Sequence, residues 1–222
     1  MLQNFPSETV AESSYRRIRA DIIFGRLLPG QKLKLDSLKD AYGTSISTLR
    51  EILNRLSSEG LVLAEGQRGF KVAPVSIADL KEIAALRLLL ETHALAQSIA
   101  DGDTDWEARL VSAHYKLTRM EEVMASGDTS KAEDWKRYDW EFHQALISAC
   151  GSNLLMETHS AVFDKYLRYQ MVALSYRGEV ASTEHRQLLE AALGRDEKTA
   201  KKILTLHIQG GVEHALACGT LA

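Results

Sequence analysis

Two groups able to hold a metal, Asp139 and His143, sit four residues apart in the stretch YDWEFHQALI, Tyr138 to Ile147. In a helix that spacing puts both side chains on one face. The same stripe runs on through Leu146, Ile147 and Cys150, which are core residue types. A carboxylate and an imidazole turned toward a core need a partner there, because an unsatisfied buried polar group costs roughly 2–7 kcal/mol. Two more histidines ride apolar stripes: His185 with Leu188, Leu189 and Ala192, and His207 with Ile203, Leu204 and Gly211. One carboxylate and three imidazoles make a donor set suited to zinc or another divalent transition metal, with positions left for an exogenous ligand if the ion is octahedral. His93, His114 and His159 also lie on or beside apolar stripes. Periodicity therefore leaves open which histidines bind a metal, and a lone histidine on such a stripe is commonly a hydrogen-bonded core residue. A metal held this way can activate water. No further Glu or His is marked by spacing as a general base, so a metal-dependent hydrolase is the weaker alternative to a binding protein, and the expectation is that the chain is not an enzyme.

The elements that must position these groups follow from composition and punctuation. At 222 residues, 45% hydrophobic and 26% charged, the chain can bury one large or two small cores. No run of about eighteen apolar residues is present to span a bilayer. The start, MLQNFPSETV, has neither a basic nor an apolar leader region. A cytoplasmic protein without a membrane partner is expected. Cys150 and Cys218 form no C-x-x-C pair, so a cysteine zinc site is not indicated. Residues 1–75 hold 11 Lys/Arg against 8 Asp/Glu, and residues 76–222 hold 16 against 22. A basic first part on an acidic remainder suggests two modules with different partners.

The three prolines, at positions 6, 29 and 74, fall between helical patterns. Past Pro74, helical segments are expected at about 77–100, 104–125, 130–150, 153–175, 180–193 and 196–217, with glycines at or near the joints. Before it, a first helix over roughly 7–25 is followed by LDSLKDAYG, a short helix capped by Asp36 and closed by Gly43. A second helix then carries Leu49, Ile52, Leu53 and Leu56 and stops at Gly60. Two strand-like runs, 61–64 and 70–73, flank the tip Glu65 to Gly69. A helix-turn-helix lays its second helix in the major groove, so the start of that helix must carry small hydrogen-bonders or long cations. Ser45, Ser47, Thr48 and Arg50 meet this requirement. At the tip, Gln67, Arg68 and Gly69 let side chain and backbone approach phosphates, and Lys34 adds a flanking cation.

The segments IIFGRLLPGQKL, AYGTSISTLREILNRLSSEGLV and GQRGFKV resemble the winged helix-turn-helix of GntR-type transcriptional regulators over residues 10 to 73. One departure is Ile46, where the family often has arginine. Isoleucine cannot bond a guanine edge but can touch a thymine methyl. From about 78 to 217 the chain is similar to the FCD ligand-binding domain of the FadR-type branch. The marks are Arg87 with Glu91, D-x-x-F-H at Asp139 to His143, Gly151 to Leu155, Glu184 to Ala191, and His207. The resemblance implies a mostly α protein: a winged helix-turn-helix domain, 1–74, and an all-α six-helix bundle, 75–222, that binds metal and effector and dimerises. It implies that Asp139, His143, His185 and His207 hold the metal, zinc first, with nickel or manganese as alternatives. It implies a homodimer on a palindromic double-stranded operator, repression of a catabolic operon, and a small carboxylate effector. Arg87, Arg168 and Tyr169 are the expected effector contacts, although Arg87 could instead pair with Glu91. A metal that is purely structural is the remaining alternative.

Overall fold

A computed structural model describes residues 9–173 and 176–219, and the chain divides into two compact units, Met1–Val75 and Ser76–Ala222. In the first unit, α1 (Val10–Ile23) is capped by Thr9, whose hydroxyl accepts from Glu12 N at 3.2 Å. A short β1 (Lys32–Leu33) leads into α2 (Leu35–Tyr42) and α3 (Ile46–Ser58). Gly43 joins these two helices with φ 66°, a left-handed conformation that closes α2 and that side chains resist. The hairpin of β2 (Val62–Ala64) and β3 (Phe70–Val72) completes a sheet of order β1-β3-β2, antiparallel throughout, with Leu33 opposite Phe70 and Leu63 opposite Lys71.

Leu49, Ile52, Leu53 and Leu56 recur at helical spacing on α3 and are buried against Ile18 and Ile22 of α1 and Val62 and Val72 of the sheet. The far end of α3 is tied to α1 by polar groups. Glu59 accepts from Tyr15 Oη at 2.5 Å and Arg19 Nε at 3.0 Å, and the Arg55 guanidinium lies 3.6 Å over the Tyr15 ring while pairing with Glu12.

The expected cap of α2 needs correction. Lys34, not Asp36, occupies the cap position and makes no side-chain cap bond. Asp36 falls inside the first turn, where its charge still complements the helix dipole. The first helix is also shorter than expected at its end, closing at Ile23, and residues 7 and 8 lie outside the described residues.

The second unit is built, among the described residues, from six helices: α4 (Ile77–Asp101), α5 (Thr104–Ala125), α6 (Ala132–Ile147), α7 (Asn153–Val172), α8 (Glu179–Leu193) and α9 (Glu197–Ala217). Ser76, Asp103, Ser152 and Asp196 each cap the helix that follows by accepting a backbone N–H three residues on. The third segment opens with a 3-10 turn, Thr129–Lys131, and its α-helix stops at Ile147 rather than near 150. Residues 174 and 175, at the expected end of the fourth, lie outside the described residues. Packing runs α4 against α6, α7 and α9, α5 against α6 and α8, and α8 against α9. Trp106, Leu110, Leu117, Phe142, Phe163 and Leu188 are fully buried between them.

Because Leu53 is fully buried where α3 meets the rest of the first unit, Leu53→Ala should destabilise it by about 2–5 kcal/mol. Urea unfolding of the full chain, followed by hydrogen exchange of α1 and α3 amides, reads this. Unchanged protection in α3 would show that the core is not organised as described.

Candidate metal centre and nucleic-acid interface

The four expected ligands converge. Asp139 and His143 project from α6, His185 from α8 and His207 from α9, all buried, and one donor atom from each lies within 4.8 Å of the other three. Two ligands held at roughly 2.0–2.1 Å can stand at most about 4.2 Å apart, so the side chains need close by only about 0.6 Å for one ion to hold all four. The second ring nitrogen of each histidine decides what the first can do. His143 Nδ1 lies 2.9 Å from Glu91 Oε2, His185 Nδ1 lies 2.7 Å from Glu121 Oε1, and His207 Nδ1 lies 2.8 Å from Glu184 Oε2. A carboxylate can only accept, so Glu121 and Glu184 place a proton on Nδ1 of His185 and His207, and a metal would take Nε2, displacing the second proton that His185 holds. His143 Nδ1 also lies 3.0 Å from Arg87 Nη2, a donor, so that ring's tautomer follows from whether Glu91 or Arg87 is its partner. The Nε2 atoms of His143 and His185 are buried without a hydrogen-bond partner among the described residues, and that of His185 stands 3.3 Å from Asp139 Oδ1. Carboxylate-anchored imidazoles with unused nitrogens facing a shared carboxylate are the arrangement that fits a divalent transition metal.

Two of the glutamates come from further helices, α4 and α5, and Glu184 comes from α8, the helix that carries His185. Glu91 of α4 also receives Arg87, at 2.5 Å from Nε, and His159 of α7, at 2.6 Å from Nε2; Gln144 lies 2.8 Å from the other nitrogen of His159. Glu121 comes from α5. Glu184, one residue before His185, is gripped by both terminal nitrogens of Arg177 at 2.8 and 2.9 Å.

Electrostatics follow from burial and these pairings. Burial alone would raise the Glu91 and Asp139 pKa values, yet Arg87 beside Glu91 and Lys136 beside Asp139 hold both carboxyls well below the usual carboxylate range. Burial also opposes charge on His185, but Asp139 and Glu121 on either side of the ring push it up to about 9. His207 is driven down to about 3, by burial and then by the neighbouring His185. Burial also lowers His143.

Beside the cluster is a cavity of about 20 Å³, room for one or two water-sized groups, lined in part by Trp135, Lys136, Gln170, Arg177, His185 and His207. The three expected effector contacts are not among its lining residues. Arg87 is committed to Glu91 and sandwiched by the Phe163 and Tyr166 rings at 4.3 and 4.6 Å. On α7 it is Tyr166 and Gln170 that face Gly211 of α9. A Cβ at Gly211 would stand 2.4 Å from Tyr166 Oη and 3.4 Å from Gln170 Nε2. Arg168 and Tyr169 lie on other faces of the same helix, and the Tyr169 hydroxyl is instead 3.4 Å from Ser76 N.

The first unit carries a separate candidate surface. With Leu49, Leu53 and Leu56 turned inward, the outward side of α3 presents Ser47, Arg50, Glu51 and Asn54. Ser45 is spent as the cap, accepting from Thr48 N at 3.1 Å and bonding the Ser47 and Thr48 hydroxyls at 2.8 and 2.9 Å. Ile46 is 36% exposed at the start of the helix. Lys34 is exposed ahead of α2. At the hairpin tip Gln67 and Arg68 are exposed in a 3-10 turn closed by Gly69, whose φ of 90° suits glycine.

Residues 10–72 match the bacterial regulatory proteins of the gntR family, and residues 82–210 match the FCD domain. The chain belongs to the gntR family and carries an FCD domain. It is 34% identical over 215 residues to the uncharacterized HTH-type transcriptional regulator BphR of Paraburkholderia xenovorans, covering 96% of this chain and 88% of BphR. It is 31% identical over 202 residues to the HTH-type transcriptional repressor GlaR of Escherichia coli, covering 87% of this chain and 90% of GlaR. Escherichia coli McbR/YncC has the same fold, with a TM-score of 0.78 at 21% identity over 95% of this chain and 98% of that one. This gntR-family chain is thus a transcriptional regulator and not an enzyme. No helix among its described residues is long and apolar enough to cross a membrane.

Sequence reasoning missed Lys136, Trp135, Gln170, Arg177, Glu121 and Glu184 in the FCD domain, and Asn54 on α3. Asn54 was findable as the position seven beyond Ser47 on the polar face. Lys136 was half-findable, since it precedes Asp139 by three and shares its face. Glu121, Gln170 and Arg177 carry no spacing signal, because the first two meet the site from other helices and Arg177 from the connection ahead of α8.

Two outcomes test the centre. Glu121→Gln should weaken divalent-metal binding about 10–100-fold in calorimetric titration; undiminished affinity would remove Glu121 from the site. The His185 pKa is raised above its unfolded value of about 6.5. Its contribution to metal-free stability is therefore full below about pH 6.5 and lost as pH rises through about 9. Thermal unfolding of the chelated protein should show this decline, and Glu121→Gln should flatten it.

Proposed function

We propose that the protein is a cytoplasmic homodimeric repressor of a catabolic operon. Its binding to a palindromic double-stranded operator is modulated by a small carboxylate held at a divalent metal in the FCD domain, zinc being the ion the donor set suits first. The observation that carries the metal is the threefold pairing of His143, His185 and His207 with Glu91, Glu121 and Glu184, which leaves their other nitrogens for Asp139's neighbourhood. When bound, the ion supplies a Lewis-acid anchor for a carboxylate. Asp139, His143, His185 and His207 hold it, and the three glutamates orient them.

On the DNA side, Ser47, Arg50 and Asn54 read base edges from α3. Arginine suits guanine and asparagine suits adenine. Lys34, Gln67, Arg68 and the backbone at Gly69 engage phosphates or the adjacent minor groove, while Ser45 and Thr48 set the start of the reading helix. The name of GlaR as a repressor supports the sign of regulation. The effector acts by binding DNA-competent and DNA-incompetent dimers with different affinity, and the coupling is reciprocal.

Fluorescence anisotropy with an operator fragment tests the reading. Arg50→Ala and Asn54→Ala should each cost about 1–3 kcal/mol of operator affinity, and Arg68→Ala should reduce the salt dependence by about one unit of slope. An effector found by thermal shift should bind more weakly when operator is present, and His185→Ala should abolish its action. Equal effector affinity with and without operator would refute the mechanism.

A further inference from the structure

The cluster around the candidate metal centre does not balance in charge once a divalent ion is present. Linked by hydrogen bonds and ion pairs are three cations, Arg87, Lys136 and Arg177, and four carboxylates, Glu91, Glu121, Asp139 and Glu184. With neutral imidazoles the cluster carries one net negative charge, and a divalent ion converts this to one net positive charge. In a buried site that excess calls for an anion.

The cavity shows where the anion goes. Arg87 and Arg177 are each saturated by a glutamate, Glu91 and Glu184. Lys136 is different. Its residue is 3% exposed, and its ammonium lies 2.6 Å from Gln170 Oε1, a neutral partner, and 3.5 Å from Asp139 Oδ2, the carboxylate whose charge a metal would take. Next to it Trp135, 4% exposed, also lines the cavity, and its indole Nε1–H is buried with no hydrogen-bond partner among the described residues. The cavity of about 20 Å³ that Trp135 and Lys136 line together with Asp139, His185 and His207 has room for one or two water-sized groups, the two oxygens of a carboxylate.

We propose that Lys136 and the Trp135 indole N–H form the anion-reading wall of the effector site, selecting a ligand whose buried head is a singly charged carboxylate. This rests on the metal reading above. It assigns to Lys136 the role that family resemblance gave to Arg87, whose guanidinium Glu91 has taken.

The test loads wild type, Lys136→Met and Trp135→Phe with Co²⁺, then titrates sodium acetate while following the visible cobalt spectrum and the unfolding temperature. All three should take up one Co²⁺ per chain, Trp135→Phe with wild-type affinity and Lys136→Met with an affinity of its own because a cation beside Asp139 is lost, so acetate is titrated into protein fully loaded with Co²⁺ in each case. Acetate should perturb the wild-type spectrum and raise its unfolding temperature, and uncharged acetamide should do neither. Lys136→Met removes the excess positive charge and should need at least about tenfold more acetate; Trp135→Phe, which keeps the ring and loses one donor, should need severalfold more. Equal acetate dependence in wild type and Lys136→Met overturns the inference while leaving the metal reading intact. Failure of the wild type to take up cobalt overturns both. Should Lys136→Met not fold, Trp135→Phe decides, and undiminished acetate binding there overturns the role of this wall.

Discussion

The interior of the FCD domain depends on one repeated contact, an imidazole Nδ1 set against a buried carboxylate. It occurs three times, and the six partners come from α4, α5, α6, α8 and α9. Each contact satisfies groups that would otherwise oppose burial, and the Nε2 atoms of His185 and His143 stand 3.3 and 4.0 Å from Asp139 Oδ1. The helices therefore have little freedom to slide past one another without orphaning a charge. A half-satisfied network of this kind is costlier than an apolar core, which makes the whole layer interdependent.

Glu91 is the branch point of that layer. It receives Arg87 along its own helix, His143 from α6 and His159 from α7, and Gln144 fixes the far side of His159. A change in how His143 is held is thus felt by α4, the helix that follows the DNA-binding unit directly in sequence. Between the two glycines of α9 and the facing helices, space is used as tightly as charge. A Cβ at Gly210 would stand 2.5 Å from the Arg177 guanidinium, and one at Gly211 would meet the Tyr166 hydroxyl. Small residues there let two polar side chains reach the α9 backbone: Arg177 bonds His207 O at 3.0 Å and Tyr166 bonds Ile208 O at 3.4 Å.

In the first unit a single helix, α3, turns some polar residues back onto α1 and leaves others outward. Arg55 and Glu59 of α3 turn back to Tyr15, Arg19 and Glu12, whereas Arg50 and Asn54 stay exposed. Both arginines of the L-R-E-x-L-x-R-L segment are long cations, yet five residues of helix put them on different sides of the cylinder. Arg55 braces α3 against α1, and Arg50 is exposed on another side.

Much of this was legible in residue order. The stripe of Leu49, Ile52, Leu53 and Leu56 announced the buried side of α3, and the spacing of Asp139 and His143 announced a polar pair on a core face, since periodicity is a property of one helix and survives without its neighbours. The segments beyond Pro74 were readable for the same reason, to within a few residues at their ends. What only the tertiary structure decided is who meets whom between helices. That Glu121 and Glu184 anchor two of the histidines, that Arg87 is spent on Glu91, and that Lys136 and Trp135 rather than Arg168 and Tyr169 line the cavity all depend on the rotation of each helix about its axis. That rotation is set by the packing of every face at once, a sum over contacts distant in sequence to which no local spacing has access.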